Sequence, residues 1–225
     1  MTTSGKPGVL FDVDGTLTDT TYLHTLAWWH AFRQQDVLVP MAFIHRAVGM
    51  GADKLMDHLL DKDRDRALDS VMEDSHAAVF STHWPSVRAF DGAKDLLLRC
   101  AGSGLTVVLA SSATRRELEV LTAALDAGDA IAAATSASDA EQSKPAPDIL
   151  EAALAAGGLR AGDCLYVGDT VWDVQAAQQL GMPTIGLTCG GTSGAELREA
   201  GAAEIYRDPK ELVAAFDTSL LGRLA

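Results

Sequence analysis

The stretch VLFDVDGTLTDT (residues 9–20) runs an apolar segment directly into two carboxylates, Asp12 and Asp14, and then into Gly15. The apolar half reads as a buried strand, and Asp-Gly on its own reads as a turn. Two like charges at the end of a core strand are costly unless something offsets them. The spacing is not that of an EF-hand loop, because the glycine comes too early and no Glu closes it. The rest of the chain supplies the context that decides between a turn and a site.

The chain has 225 residues, is 48% hydrophobic and carries a formal net charge of −13. That length suits one domain or a domain with an insert. No run of about 18 apolar residues is present, so no membrane span is expected. The start, MTTSGKPGVLFDVDG, lacks a charged-then-apolar leader, so no secretory signal is expected. Cys100, Cys164 and Cys189 are widely spaced and odd in number, which suits free thiols in a cytoplasmic protein. The acidic surface repels phosphate backbones and anionic lipid, which argues against nucleic acid or membrane as partners. A small anionic substrate then needs a local cationic site.

From about residue 85 the pattern alternates. LTVVLAS (105–111), AIAAATSA (130–137), DCLYVGD (163–169), PTIGLT (183–188) and AEIYRD (203–208) read as strands. RRELEVLTAAL, PDILEAALAAGG, VWDVQAAQQLGM, AELREAG and PKELVAAF read as helices between or after them. Such alternation predicts an α/β fold with a doubly wound, mostly parallel sheet. The first strand is followed instead by about 70 residues of helical periodicity, TYLHTLAWWHAFRQQ through RDRALDSVMEDSHAAVF. The expected organisation is a Rossmann-like core of residues 1–18 and 88–225 with an all-helical cap, 19–87, inserted after the first strand.

Ligands of open parallel sheets bind beyond the carboxyl ends of the strands. Asp12, Ser111 with Ser112, and Asp169 all fall at such ends, and Lys144 lies in a loop before a helix. Asp173 follows Asp169 by four residues, so a helix starting near Thr170 turns both carboxylates the same way. Taken singly, Ser111 is a helix cap, Asp169 and Asp173 are a cap and a first-turn acid, and Lys144 is a solvated lysine. Together with Asp14 they bring four acids, a serine and a cation to one sheet edge. Clustered carboxylates of this kind accept a hard divalent cation, and Mg²⁺ is the usual one beside phosphate.

The set DVDGT (12–16), Ser111, SKPAPD (143–148) and GDTVWD (168–173) resembles the four motifs of the haloacid dehalogenase superfamily. It is most similar to the helical-cap branch that includes phosphoglycolate phosphatase-like enzymes and β-phosphoglucomutase. The resemblance implies a Mg²⁺-dependent phosphatase acting on a small phosphorylated metabolite, as a monomer or homodimer. It implies that Asp12 is a nucleophile forming an aspartyl-phosphate and Asp14 the general acid and base. Asp14 also offers its carbonyl to the metal. Asp169 is then a metal ligand, Asp173 supports the metal site, and Ser111 and Lys144 hold the transferring phosphoryl group. Gly15 permits the tight turn and Thr16 helps hold the loop, with Thr16, His24, Lys54 and Ser112 as substrate-side candidates.

Other branches differ at single positions. Met50-Gly51-Ala52-Asp53-Lys54 is similar to the segment carrying the Schiff-base lysine of phosphonoacetaldehyde hydrolases, but those enzymes have Ala where Asp14 stands. Asp19, His24 and Trp28 fall where β-phosphoglucomutase has the same residue types. Its sugar-phosphate arginine would fall near Ala52, however, and its Glu-Asp metal pair is here Gly168-Asp169. A catalytically idle binding protein is the alternative of a different class. His24, His30, His45, His58, His76 and His83 all fall in the helical insert and make no i, i+4 pair, which argues against a helix-borne zinc site. Adjacent Trp28 and Trp29 cannot both face the core.

Overall fold

The computed structural model describes residues 5–225. Residues 1–4, included in the leader reading and in the core assignment of residues 1–18, lie outside the described residues. Six strands form one parallel sheet: β1 (Gly8–Phe11), β2 (Thr106–Ala110), β3 (Ile131–Thr135), β4 (Cys164–Gly168), β5 (Thr184–Leu187) and β6 (Glu204–Tyr206), in the order β3-β2-β1-β4-β5-β6. Every residue of β1, β2 and β4 is buried. Period-two alternation explains why these strands read as continuous apolar runs. Val9, Phe11, Val107 and Leu109 face one apolar cluster, while Leu10, Val108 and Tyr166 face another across the sheet. The edge strand β3 is half-exposed and built largely of Ala, so its sequence signal is weak.

Eleven α-helices occur among the described residues. Four follow β1: α1 (Thr21–Gln34), α2 (Met41–Ala47), α3 (Ala52–Leu59) and α4 (Asp69–Ser81). They close around their own cluster, which includes Trp28, Phe32, Ile44, Leu55, Met56 and Met72. The sequence RDRALDSV does not begin the last of these as one helix. A 3-10 turn, Arg66–Leu68, precedes α4, and Arg64 bridges Asp57 and Asp69 across it.

The remaining helices are α5 (Ala93–Gly102), α6 (Arg115–Leu125), α7 (Asp148–Gly157), α8 (Val171–Gln179), α9 (Gly194–Ala200), α10 (Pro209–Ala214) and α11 (Leu220–Leu224). The sequence pattern assigned no helix to α5 or α11. Leu96, Leu97 and Cys100 of α5 are nevertheless fully buried at helical spacing. The helices α6, α8 and α9 each start with a reciprocal cap: Thr114 with Glu117, Thr170 with Asp173, and Ser193 with Glu196. All three cysteines are free thiols. Among the described residues no helix is long and apolar enough to cross a membrane.

Candidate active site

From β1 the chain moves to β2 and β3 on one side, then returns to β4 on the other. The strand order therefore reverses beside β1, and the crevice at that point is where open α/β sheets bind ligands. Phe11 pairs with Val167, and the Asp12 N–H donates to the Val167 carbonyl at 2.9 Å. Asp12 and Asp169 thus leave neighbouring strands side by side.

Lys144 enters from the loop before α7. It is fully buried, with Nζ 2.6 Å from Asp12 Oδ1 and 2.8 Å from Asp173 Oδ1. Burial alone would lower its pKa, but Asp12 and Asp173 hold it well above the usual lysine value. Asp173 Oδ1 also accepts from the Tyr166 hydroxyl at 3.0 Å, and Oδ2 accepts from the Thr170 N–H and hydroxyl. The helix cap of α8 therefore aims Asp173 at Lys144. Replacing Lys144 with Met is expected to destabilise the fold by roughly 3 kcal/mol, because two buried carboxylates lose their counter-charge. Denaturant unfolding of the variant measures this loss.

Asp12, Asp169 and Asp173 offer carboxylate oxygens within 4.8 Å of one another. Burial, opposed by Lys144, pushes the Asp12 pKa up to about 7. Burial, Asp173 and Asp12 push Asp169 well above the carboxylate range. One ammonium does not neutralise the cluster. The Thr16 hydroxyl lies between Asp12 Oδ2 (3.2 Å) and Asp169 Oδ1 (2.9 Å). Asp169 Oδ2 points into space kept open by Gly15 and Gly190, where a Cβ on either would collide with it. Gly15 has φ +80°, so it also suits this turn on backbone grounds. The buried Thr21 hydroxyl has no hydrogen-bond partner among the described residues, and it lines a cavity of about 370 Å³ with Asp169. Hard oxygen donors, excess negative charge and an orphaned hydroxyl fit a hydrated divalent cation.

Asp14 points the other way, into a second cavity of about 350 Å³ beneath the helical segment, which Asp12, His24, Trp28 and Ser112 also line. Asp14 Oδ1 is 2.6 Å from the Thr20 hydroxyl and 3.1 Å from His24 Nε2. Burial would raise the Asp14 pKa, but His24 and Thr20 hold it below the usual value. Burial would lower that of His24, but Asp14 raises it. His24 Nδ1 lies 3.1 Å from His76 Nε2, and burial with the nearby His24 pushes the His76 pKa well down. A consistent proton assignment follows: protonated His24 donates to the Asp14 carboxylate and to neutral His76. Phe80 stacks on His24 with centroids 3.9 Å apart, and Trp28 stacks on His76.

The structure brings Asp12, Asp14, Thr16, Lys144, Asp169 and Asp173 together at one sheet edge. Ser112 lines the 350 Å³ cavity. Ser111 is fully buried behind it, and its hydroxyl accepts from the Ala113 N–H at 3.0 Å. Lys54 is half-buried on α3 and does not line that cavity, although Ala52 and Asp53 do. Sequence reasoning missed Thr20, His76 and Tyr166 as contributors. Thr20 had a signal, as a hydroxyl just ahead of a helix. Tyr166 and His76 had none, because their partners are brought near only by the fold.

A family profile described as haloacid dehalogenase-like hydrolase matches residues 9–187. The chain belongs to this family of hydrolases. It is 30% identical over 193 residues to the plasmid protein CbbY of Cupriavidus necator, covering 79% of this chain and 76% of that one. It is 29% identical over 188 residues to phosphoglycolate phosphatase of Yersinia pseudotuberculosis, covering 81% of each. A solved structure of a hydrolase from Pseudomonas syringae superposes with a TM-score of 0.89 at 29% identity, covering 94% of this chain and 98% of that one.

Proposed function

We propose that this protein is a Mg²⁺-dependent phosphatase that hydrolyses small organophosphate monoesters through a phosphorylated Asp12. The observation that carries this reading is the division of labour between two carboxylates. Asp12 sits against Lys144 at 2.6 Å, while Asp14 faces the cavity in contact with His24. One is surrounded by phosphate-compatible charge and the other has a proton within reach. The 29% identity to a phosphoglycolate phosphatase over most of both chains adds support for phosphate-ester chemistry.

In the first step an Asp12 carboxylate oxygen attacks phosphorus and the ester P–O bond breaks. The departing oxygen takes a proton from Asp14, which draws it from His24 across their 3.1 Å contact. In the second step water attacks the same phosphorus. Its proton passes to Asp14, the acyl-phosphate bond breaks, and Asp12 leaves as carboxylate. Lys144 holds its positive charge at the nucleophile throughout, and the serine-bearing end of β2 closes the phosphoryl pocket. Asp12, Asp169 and the Asp14 carbonyl would hold Mg²⁺, which supplies positive charge to the phosphoryl oxygens and favours ionised Asp12. The helical segment acts as a cap that keeps water from the first step.

The test is inorganic phosphate release from p-nitrophenyl phosphate with Mg²⁺. Release that depends on both Asp12 and Asp14 supports the proposal, and failure to release phosphate contradicts it. Lys54 does not line the cavity, so Lys54→Ala is expected to leave kcat intact and to change KM by less than the roughly tenfold that loss of one charge-assisted contact would cost. A borohydride-trapped adduct of phosphonoacetaldehyde on Lys54 would instead show a Schiff-base enzyme.

A further inference from the structure

Resting on that phosphatase reading, we propose that the leaving group is uncharged or cationic, and that esters carrying a carboxylate, 2-phosphoglycolate among them, are poor substrates. The charge of the 350 Å³ cavity carries this. Five carboxylates line it, those of Asp12, Asp14, Asp53, Glu73 and Glu117, and among the described residues no Lys or Arg does. Asp12 and Asp14 serve the phosphoryl end. Glu117 is held by the Thr114 N–H and hydroxyl at the start of α6.

That leaves Asp53 on α3 and Glu73 on α4 along the part of the cavity made by the helical segment, where a leaving group extends. Asp53 Oδ1 accepts from the Ser143 hydroxyl at 2.6 Å, a neutral partner. Glu73 has no ion-pair partner among the described residues, and its pKa is raised by burial and by the charges of Asp53, Asp69 and Asp74.

The nearby cations are turned elsewhere. Lys144 is bound between Asp12 and Asp173. Arg115 lies 3.9 Å from Asp139, Arg116 lies over the Trp84 ring, and the half-buried Lys54, although it follows Asp53 on α3, does not line the cavity. The two histidines are turned to each other and to Asp14: His24 Nε2 lies 3.1 Å from Asp14 Oδ1 and His24 Nδ1 lies 3.1 Å from His76 Nε2. A carboxylate on the leaving group would enter this open-mouthed cavity against the exposed carboxylates of Glu73 and Asp53, with no cation lining it to meet the charge. A hydroxyl finds acceptors there, and an ammonium finds opposite charge.

Three esters that differ in their end group test the proposal: 2-phosphoglycolate, 2-hydroxyethyl phosphate and O-phosphoethanolamine, each assayed for kcat/KM by phosphate release with Mg²⁺. At least tenfold higher values for the hydroxyl and ammonium esters are expected. The double variant Asp53→Asn, Glu73→Gln is expected to narrow that gap at least threefold by raising the value for 2-phosphoglycolate. Equal values, or a preference for 2-phosphoglycolate, overturn the proposal and leave the phosphatase reading standing. So does a double variant in which the gap does not narrow. Lack of phosphate release from all three and from p-nitrophenyl phosphate overturns the phosphatase reading and this inference with it.

Discussion

Asp12→Asn is expected to lower turnover by a factor on the order of 10⁶, the scale of loss when a covalent nucleophile is removed. The amide keeps the shape of the side chain but is a poor nucleophile toward phosphorus. The fold should survive. Asp12 is 7% exposed, and burial pushes its pKa to about 7, so the wild-type charge is held there at a cost. Lys144 keeps Asp173 as a partner at 2.8 Å. The melting temperature is therefore expected to stay level or rise while activity disappears. Circular dichroism and phosphate release on the same sample check both halves. Substantial turnover in a folded variant free of deamidation removes Asp12 from the nucleophile role.

Removal of divalent metal is expected to have the second largest effect. Chelation should abolish phosphate release, and added Mg²⁺ should restore it. The cluster of Asp12, Asp169 and Asp173 includes two groups whose pKa burial drives upward, against one buried ammonium. Asp169→Asn removes the carboxylate whose Oδ2 lies against both Gly15 and Gly190. At fixed Mg²⁺ it is expected to lower kcat/KM by at least the roughly 10–100-fold that loss of an outer-shell partner costs, with part of the loss recovered at high Mg²⁺. Full activity in chelated protein would show that Lys144 alone suffices.

The fold was legible wherever burial is two-sided. Strands β1, β2, β4 and β5 are buried throughout, and such strands print as apolar runs. β3 was faint because an exposed edge of Ala carries little pattern, and α5 was missed although Leu96, Leu97 and Cys100 follow helical spacing. The four helices after β1 were readable from periodicity, but not the 3-10 turn at Arg66–Leu68, which Arg64 and its two aspartates stabilise. In the site, Asp12 and Asp169 were visible just past strand ends and Asp173 in the cap of the following helix. What brings Asp12 beside Asp169 is the strand order around β1, which alternation alone does not specify.

Asp173 shows both levels at once. Its place in a Thr-x-x-Asp cap is local and readable, while its contacts with Lys144 and Tyr166 are products of packing. The contact of His24 with His76 joins residues 52 apart on different helices and leaves no trace in sequence. Trp28 and Trp29 separate as adjacent helical residues must. Trp28 is buried against His76, and Trp29 lies under Arg33.

Whether phosphate passes through Asp12 can be read directly. The enzyme is mixed with p-nitrophenyl phosphate and Mg²⁺, quenched during turnover, treated with borohydride and digested for mass spectrometry. Borohydride reduces an acyl phosphate to an alcohol. The account predicts homoserine in place of aspartate at residue 12, absent without substrate and absent in Asp12→Asn. Homoserine at another residue, or none in any peptide while phosphate is released with inversion at phosphorus, would contradict it.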